Sequence, residues 1–160
     1  MKKRLAIAAV AIIVCVIYLV NKANDKCVPV KKDDPAMSAA IETAKASSPD
    51  FIRAFHAQLP GTKGFYVKKP YPTPSKGVEH MWIAVTAETN GTIYGTIAND
   101  AEETTIVKCD DAVSLNVSEI SDWKYQSGKK LVGGYTVRYF IDRMSPKEKA
   151  DLLKEADFEL

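Results

Sequence analysis

Few side chains in this chain are of types that combine into reactive sets, and Glu79-His80 comes first among them. The pair has the makings of an acid–base couple. On a strand, however, adjacent residues point to opposite faces, so the two cannot form a dyad with each other. His80 instead shares a face with Trp82. That face is either a polar–aromatic surface able to hold a ligand or simply a histidine hydrogen-bonded at a sheet edge. Ser121-Asp122-Trp123 is the second stretch of interest. Asp122 either caps a turn through backbone amides, with Trp123 buried beside it, or shares a polar cleft with Arg138. Arg138 lies among Tyr135, Tyr139 and Phe140, where a guanidinium either pairs internally or binds an anionic partner. The binding candidates are therefore His80, Trp82, Asp122, Trp123, Tyr135 and Arg138, and no residue is assigned a catalytic role.

Other chemistries find little support. The chain has two histidines, His56 and His80, far apart in sequence, and neither a His-x-x-x-His nor a Cys-x-x-Cys spacing, so no metal site is expected. Cys109 sits beside Asp110 and Asp111, which disfavour a thiolate. Gly-x-Ser-x-Gly and a phosphate loop are absent, and no cofactor is implied. A carboxylate-pair glycosidase stays open, because separations between acids are not readable from sequence.

The elements that must position these residues follow from the patterning. The 160 residues allow one domain and a short appendage, and 46% hydrophobic with 26% charged residues suits a packed core. Net charge is +2, but Lys2, Lys3 and Arg4 account for the excess, leaving 19 basic against 20 acidic residues in the rest. A domain of that balance lacks the overall basic excess of a nucleic-acid binder. The three cations precede sixteen apolar residues, Leu5 to Val20, the layout of a secretory signal or signal anchor. An uncleaved anchor over residues 1–22 is the leading expectation, with cleavage near Ala23 (a secreted form) or lipidation at Cys15 as alternatives. The positive-inside rule keeps the cations cytoplasmic and places the remainder outside, in the periplasm of a two-membrane cell. Two cysteines, Cys27 and Cys109, then lie in an oxidising compartment, where a disulfide between them is a candidate.

Residues 23–34 read as a linker and 35–160 as the domain. Asp34-Pro35 is an N-cap followed by proline at the first helical position, and Met37, Ala40, Ile41 and Ala44 form one apolar stripe. Ser48 opens a second helix with Phe51, Ile52, Phe55 and Leu59 as its stripe. Strands are expected over Gly64–Lys69, Glu79–Ala87, Thr92–Ala98, Thr104–Val107, Ala112–Val117, Trp123–Gln126 and Leu131–Ile141, with a loop over Pro70–Gly77. Glu79–Ala87 is apolar on both faces and reads as central. Asn90-Gly91 is a strong hairpin signal, and Ser127-Gly128-Lys129 marks a second hairpin. Gly133-Gly134 is taken as a bulge inside the last strand, and Ser145-Pro146-Lys147-Glu148 as a capping box opening a final helix. The fold class is α+β: a strongly curved, mainly antiparallel sheet with N-terminal helices, one C-terminal helix and a preceding anchor helix.

Five stretches, Phe65-Tyr66-Val67-Lys68, Glu79-His80-Met81-Trp82, Tyr94-Gly95-Thr96-Ile97-Ala98-Asn99, Glu119-Ile120-Ser121-Asp122-Trp123 and Gly133-Gly134-Tyr135-Thr136-Val137-Arg138, together resemble the bacterial DUF2314 family. The likeness spans about residues 36–155. Asp100 stands where the family often has proline, and Asp110-Asp111 where it often has glycine; both departures concern loops. The resemblance implies a small curved-sheet domain akin to SH3-like barrels and brings no reaction with it. Members resemble secreted or lipid-anchored proteins, or modules beside other domains. The functional expectation is an envelope-tethered, non-enzymatic binding domain. It would meet the membrane through residues 5–20 and bind another protein, such as a toxin it neutralises, or an envelope polymer. A cell-wall or glycan-acting enzyme with Glu79, His80, Asp122 and Arg138 in a cleft, and a structural accessory protein of the envelope, are the competing readings.

Overall fold

A computed structural model describes residues 34–156 and 158–160. The expected anchor, the linker up to residue 33 and the Cys27 half of the proposed disulfide lie outside the described residues. No helix among the described residues is long and apolar enough to cross a membrane.

Helices α1 (Pro35–Ala46) and α2 (Ser48–Ala57) come first, followed by β1 (Thr62–Pro72), β2 (Val78–Thr89), β3 (Thr92–Ile97) and β4 (Ala112–Asn116). A 3-10 turn at Val117–Glu119 leads into β5 (Asp122–Ser127), β6 (Lys130–Gly133), α3 (Tyr135–Ile141) and α4 (Pro146–Glu155). The six strands form one antiparallel sheet in the order β4-β3-β2-β1-β5-β6. Local chemistry explains most of these boundaries. The Asp34 carboxylate accepts from the N–H groups of Ala36 and Met37, both at 2.9 Å, and starts α1. Ser145 and Glu148 form the expected reciprocal capping box on α4. Asn90 (φ 53°) and Gly91 (φ 78°) both take the left-handed conformation that a two-residue type I′ hairpin requires.

Alternation along the strands divides the apolar side chains between two cores. Phe65, Val67, Met81, Ile83, Ile93, Ile97 and Trp123 face α1 and α2, where they meet Ala44 and Phe51. Tyr66 and Trp82 face the other way and meet Val137, Ile141, Leu152 and Phe158 from α3, α4 and the C-terminal segment. The middle strands are thus covered on both sides, and β2 is central as its apolar pattern requires. Leu59, assigned to the stripe of α2, lies beyond the helix end and is 61% exposed.

The structure corrects five expectations. The sheet is open, with β4 and β6 at opposite edges, and is not closed into an SH3-like barrel. Residues Tyr135–Ile141 form a helix, not the second half of a strand. Gly133 (φ 72°) and Gly134 (φ 65°) do not curl a continuing strand; they turn the chain out of β6 into α3. Residues Thr104–Val107 form no strand: the N–H groups of Glu102, Glu103 and Thr104 are taken by the Glu79 carboxylate at 2.7–3.0 Å. Finally, β1 continues through Pro70 to Pro72, where a loop was expected. Lys68 accepts from Ser121 on the β5 side, so by alternation Pro70 and Pro72 also turn their nitrogens that way. The ladder with β5 has ended by then, and no donor is missed.

Gly95 is where the sheet is tightest. A Cβ there would overlap the Ala84 carbonyl and crowd the Ile83 side chain, next to the register shift between Val85 and Ala87. Gly91, by contrast, has open space around the position of a Cβ. Gly95→Ala is expected to cost about 3 kcal/mol or more, or to prevent folding, whereas Gly91→Ala costs about 1 kcal/mol through its backbone conformation alone. Urea denaturation of the two purified variants measures the contrast.

Candidate functional site

The polar residues gather on the side of the sheet that faces α3 and α4. Strand register sets their positions: Lys68 of β1 lies between Trp82 of β2 and Asp122 of β5, and Tyr66 lies between Ala84 and Lys124. Asp122 is fully buried. One of its oxygens accepts from the N–H groups of Trp123 (2.8 Å) and Tyr135 (3.1 Å), the other from the N–H (2.8 Å) and hydroxyl of Thr136. Four donors thus meet the roughly four lone-pair sites of one carboxylate. Two of them are N–H groups at the start of α3, a helix whose cap position is Gly134 and which therefore has no capping side chain of its own.

Thr136 passes the interaction on. Its hydroxyl oxygen accepts from Lys68 Nζ at 3.1 Å. The Lys68 and Lys124 ammonium groups each lie 4.5 Å from the Trp82 ring centroid, and Lys124 is also 4.8 Å from that of Tyr66. Lys124 is only 4% exposed. Two cations on one indole concentrate positive charge on this face of the sheet. His80 lies on the same face, two residues before Trp82, with Nδ1 2.8 Å from Ser121 Oγ. Burial, and then the charge of Lys68, push its imidazole down to about 4. It is neutral at physiological pH.

The candidates named from sequence separate into two groups. His80, Trp82 and Asp122 share this face, connected through Ser121, Lys68 and Thr136. Trp123 points into the opposite core, where its indole N–H reaches the Ala44 carbonyl (3.0 Å) and Ser47 Oγ (3.2 Å). Tyr135 packs edge-on against Trp123, centroids 5.7 Å apart. Arg138 donates to the carbonyls of Gly133 (2.9 Å) and Leu131 (2.7 Å), tying α3 to β6. No hydrogen bond joins any two of His80, Asp122 and Arg138. Glu79 is 5% exposed and faces the 98–111 loop, which it ties down. Cys109 is half-buried in that same loop.

Lys68, Lys124 and Thr136 escaped the sequence reading. The available signal was their period: Tyr66 and Lys68 alternate with Phe65 and Val67 in a strand whose neighbour is central. A lysine at such a position must be buried or half-buried. No group of three or more His, Cys, Asp or Glu side chains among the described residues is placed to hold a metal ion.

The fold and this face define an α+β domain with an open six-stranded sheet, helices on both sides and a lysine–tryptophan–histidine cluster under the second helical layer. Residues 34–160 match the family described as "Uncharacterized protein conserved in bacteria (DUF2314)", and the chain belongs to that family. The chain is 34% identical to the "Uncharacterized protein YegJ" of Escherichia coli (strain K12) over 134 residues, 84% of this chain and 85% of that protein. It is also similar to a "Putative ankyrin repeat protein" of Neisseria meningitidis serogroup B, 32% identical over 73 residues, which is 46% of this chain and 29% of that protein. No solved structure matches.

Two outcomes follow from this geometry. Asp122→Ala strands three N–H groups and a hydroxyl in the interior and is expected to cost roughly 3–5 kcal/mol in urea denaturation. For His80, the unfolded chain takes up a proton near 6.5 and the folded chain only near about 4. Stability is therefore full above pH 6.5 and falls as pH drops through that window, by at most about 3 kcal/mol. His80→Gln should flatten the urea-midpoint profile between those two values while leaving the carboxylate-driven loss at lower pH.

Proposed function

We propose that the chain is an envelope-tethered, non-enzymatic binding domain. In this reading residues 5–20 anchor it in the inner membrane, residues 35–160 stand in the periplasm, and the ligand is another protein, of the kind met in toxin neutralisation. The observation that carries it is the state of the polar side chains from which a reactive centre would be assembled. Asp122 is saturated by donors from its own domain, Arg138 is spent on two carbonyls, and Glu79 holds a loop. Groups consumed in this way position backbone, and they do not meet a substrate. Further support comes from β3 and β4. Tyr94, paired with Ser114 on the side opposite the first core, is 46% exposed. Tyrosine is enriched at protein interfaces because it brings a large amphipathic area at low entropic cost. The cations of Lys2, Lys3 and Arg4 support the orientation.

The test uses the full-length protein with a C-terminal tag. Protease added to spheroplasts is expected to remove the tag, and protease added to intact cells to leave it. Affinity capture from detergent-solubilised envelope is expected to retain one protein near equal stoichiometry, with retention reduced several-fold by Tyr94→Asp. A domain protected in spheroplasts, or capture that retains no protein, overturns the reading.

A further inference from the structure

The two edges of the sheet are finished differently. The outer side of β6 is closed by the chain itself. The Leu131 N–H donates to the Glu159 carbonyl (2.8 Å), the Glu159 N–H to the Lys129 carbonyl (2.7 Å), and Arg138 donates to the carbonyls of Leu131 and Gly133. β4 has no such cover. Its ladder with β3 is in phase with two bonds at its ends, from the Val117 N–H to the Gly91 carbonyl and from the Ile97 N–H to the Asp111 carbonyl, both 2.9 Å. Odd-numbered residues of β4 therefore bond to β3, and the N–H and C=O groups of Ala112, Ser114 and Asn116 point away from the sheet. The Asn116 N–H is taken by the Glu119 carboxylate at 2.8 Å. The N–H and C=O groups of Ala112 and Ser114 have no partner among the described residues, and both residues are exposed.

Natural sheets commonly protect such an edge with a lysine, a proline or a bulge that turns an incoming strand away. Ala112-Val113-Ser114-Leu115-Asn116 has none of these, and its register with β3 is unbroken. The edge begins in an acidic region. The loop over 98–111 carries Asp100, Glu102, Glu103, Asp110 and Asp111 against a single basic residue, Lys108. The Asp100 and Glu102 carboxylates have no hydrogen-bond or ion-pair partner among the described residues. Asp111, next to the first residue of β4, lines a hollow of about 630 Å³ together with Asp100, Ile106 and Val107.

We infer that β4 is the docking edge for an extended segment of a partner protein, added antiparallel as a further strand, with lysine or arginine following an uncharged centre. The inference deepens the binding-domain reading and rests on it. Main-chain bonds to Ala112 and Ser114 hold such a segment, and apolar side chains at its alternate positions cover Val113, half-buried at the rim of the first core. Antiparallel pairing continues the pattern of the sheet. It also carries the C-terminal end of the segment toward Asp111 and the hollow, where a basic side chain meets the acids of the loop. Charge argues against a second copy in this place. Two β4 strands paired antiparallel about Ser114 set Asp110 and Asp111 of each copy beside Ser118 and Val117 of the other, next to Glu119, and the Asn116 N–H is already spent.

The experiment follows the Ala112 and Ser114 amide resonances of the full-length protein in detergent micelles by NMR. The probes are capped peptides of alternating threonine and valine, one ending in lysines and the other in glutamates, at ionic strength fixed with chloride. The lysine-ended peptide is expected to give saturable shifts of both amides, to slow their exchange with solvent, and to bind at least tenfold tighter than the glutamate-ended one. Ser114→Pro removes an outward N–H and no bond to β3, so it is expected to keep the native spectrum and to abolish the Ala112 shift. Asp100→Lys is expected to reduce the preference for lysine at least several-fold. Absence of a saturable shift at the two amides, equal affinity for the two peptides, or unchanged binding in Ser114→Pro overturns the inference. So does a dimer in sedimentation that Ser114→Pro dissociates, which assigns the edge to a second copy. Should Ser114→Pro lose the native spectrum, Asp100→Lys replaces it, and an unchanged preference for lysine overturns the inference. Peptide binding requires no envelope partner, so a failed capture leaves this result standing. Capture that depends on Tyr94, with no peptide shift at β4, keeps the binding-domain reading and removes this edge from it.

Discussion

A carboxylate taken completely out of water has to be met by donors on every side, and the Asp122 side chain imposes that requirement on the centre of this domain. Its four donors come from its own strand and from the first turn of α3. Satisfying them fixes where α3 begins, how it crosses β5, and which of its residues turn inward. Val137 and Ile141 then close over Trp82 on the second face of the sheet. Without the carboxylate, the helix would begin with uncapped amides and the second core would lose its lid. Desolvating the ion costs several kcal/mol, and four hydrogen bonds with a lysine behind one of them offset it. The net gain is a defined position for α3 more than raw stability.

The same device is used at the other end of the sheet. Glu79, at the start of β2, receives three consecutive backbone N–H groups of the loop between β3 and β4. Asn99 completes the arrangement, its side-chain oxygen accepting from the Trp82 N–H at 2.8 Å where β3 has run out. Loops rich in Asp, Glu and Thr rarely hold a fixed shape by their own packing. Here a buried acid supplies the fixed point, and the loop packs Ala101 and Val107 against the first core.

This explains which parts of the structure were legible in the sequence. Asp34-Pro35, Asn90-Gly91 and Ser145–Glu148 carry their partners within three residues, so the caps and the hairpin could be read directly. The apolar pattern of β2 reports burial on both faces, and that too is local. Tyr135–Ile141 and Thr104–Val107 were read as strands because their alternation and β-branched content favour it. Each is held otherwise by a carboxylate distant in sequence: 13 and 14 residues away for α3, 23 to 25 for the loop. The missing information lay in tertiary contacts, and no local propensity encodes those. For the site, His80 and Trp82 were read as sharing a strand face, and of the two roles open to Asp122 the structure shows the one that takes up backbone amides, not a cleft shared with Arg138. Lys68 and Lys124 went unnoticed because isolated lysines in a strand ordinarily mark solvent.

Polar groups at the centre of a small domain ordinarily cost stability, so their arrangement here calls for a reason. Asp122 and Glu79 have one, since each organises backbone that would otherwise be loose. Lys124 and Trp82 fit the same view, a cation lying on an indole within the second core. Lys68 differs. Its single bond to Thr136 does not demand an ammonium; a neutral donor of similar length would serve. A half-buried charge next to another cation and a neutral histidine is an unfavourable placement if its only task is to hold Thr136. Trp82 offsets part of that cost, its ring facing both ammonium groups at 4.5 Å.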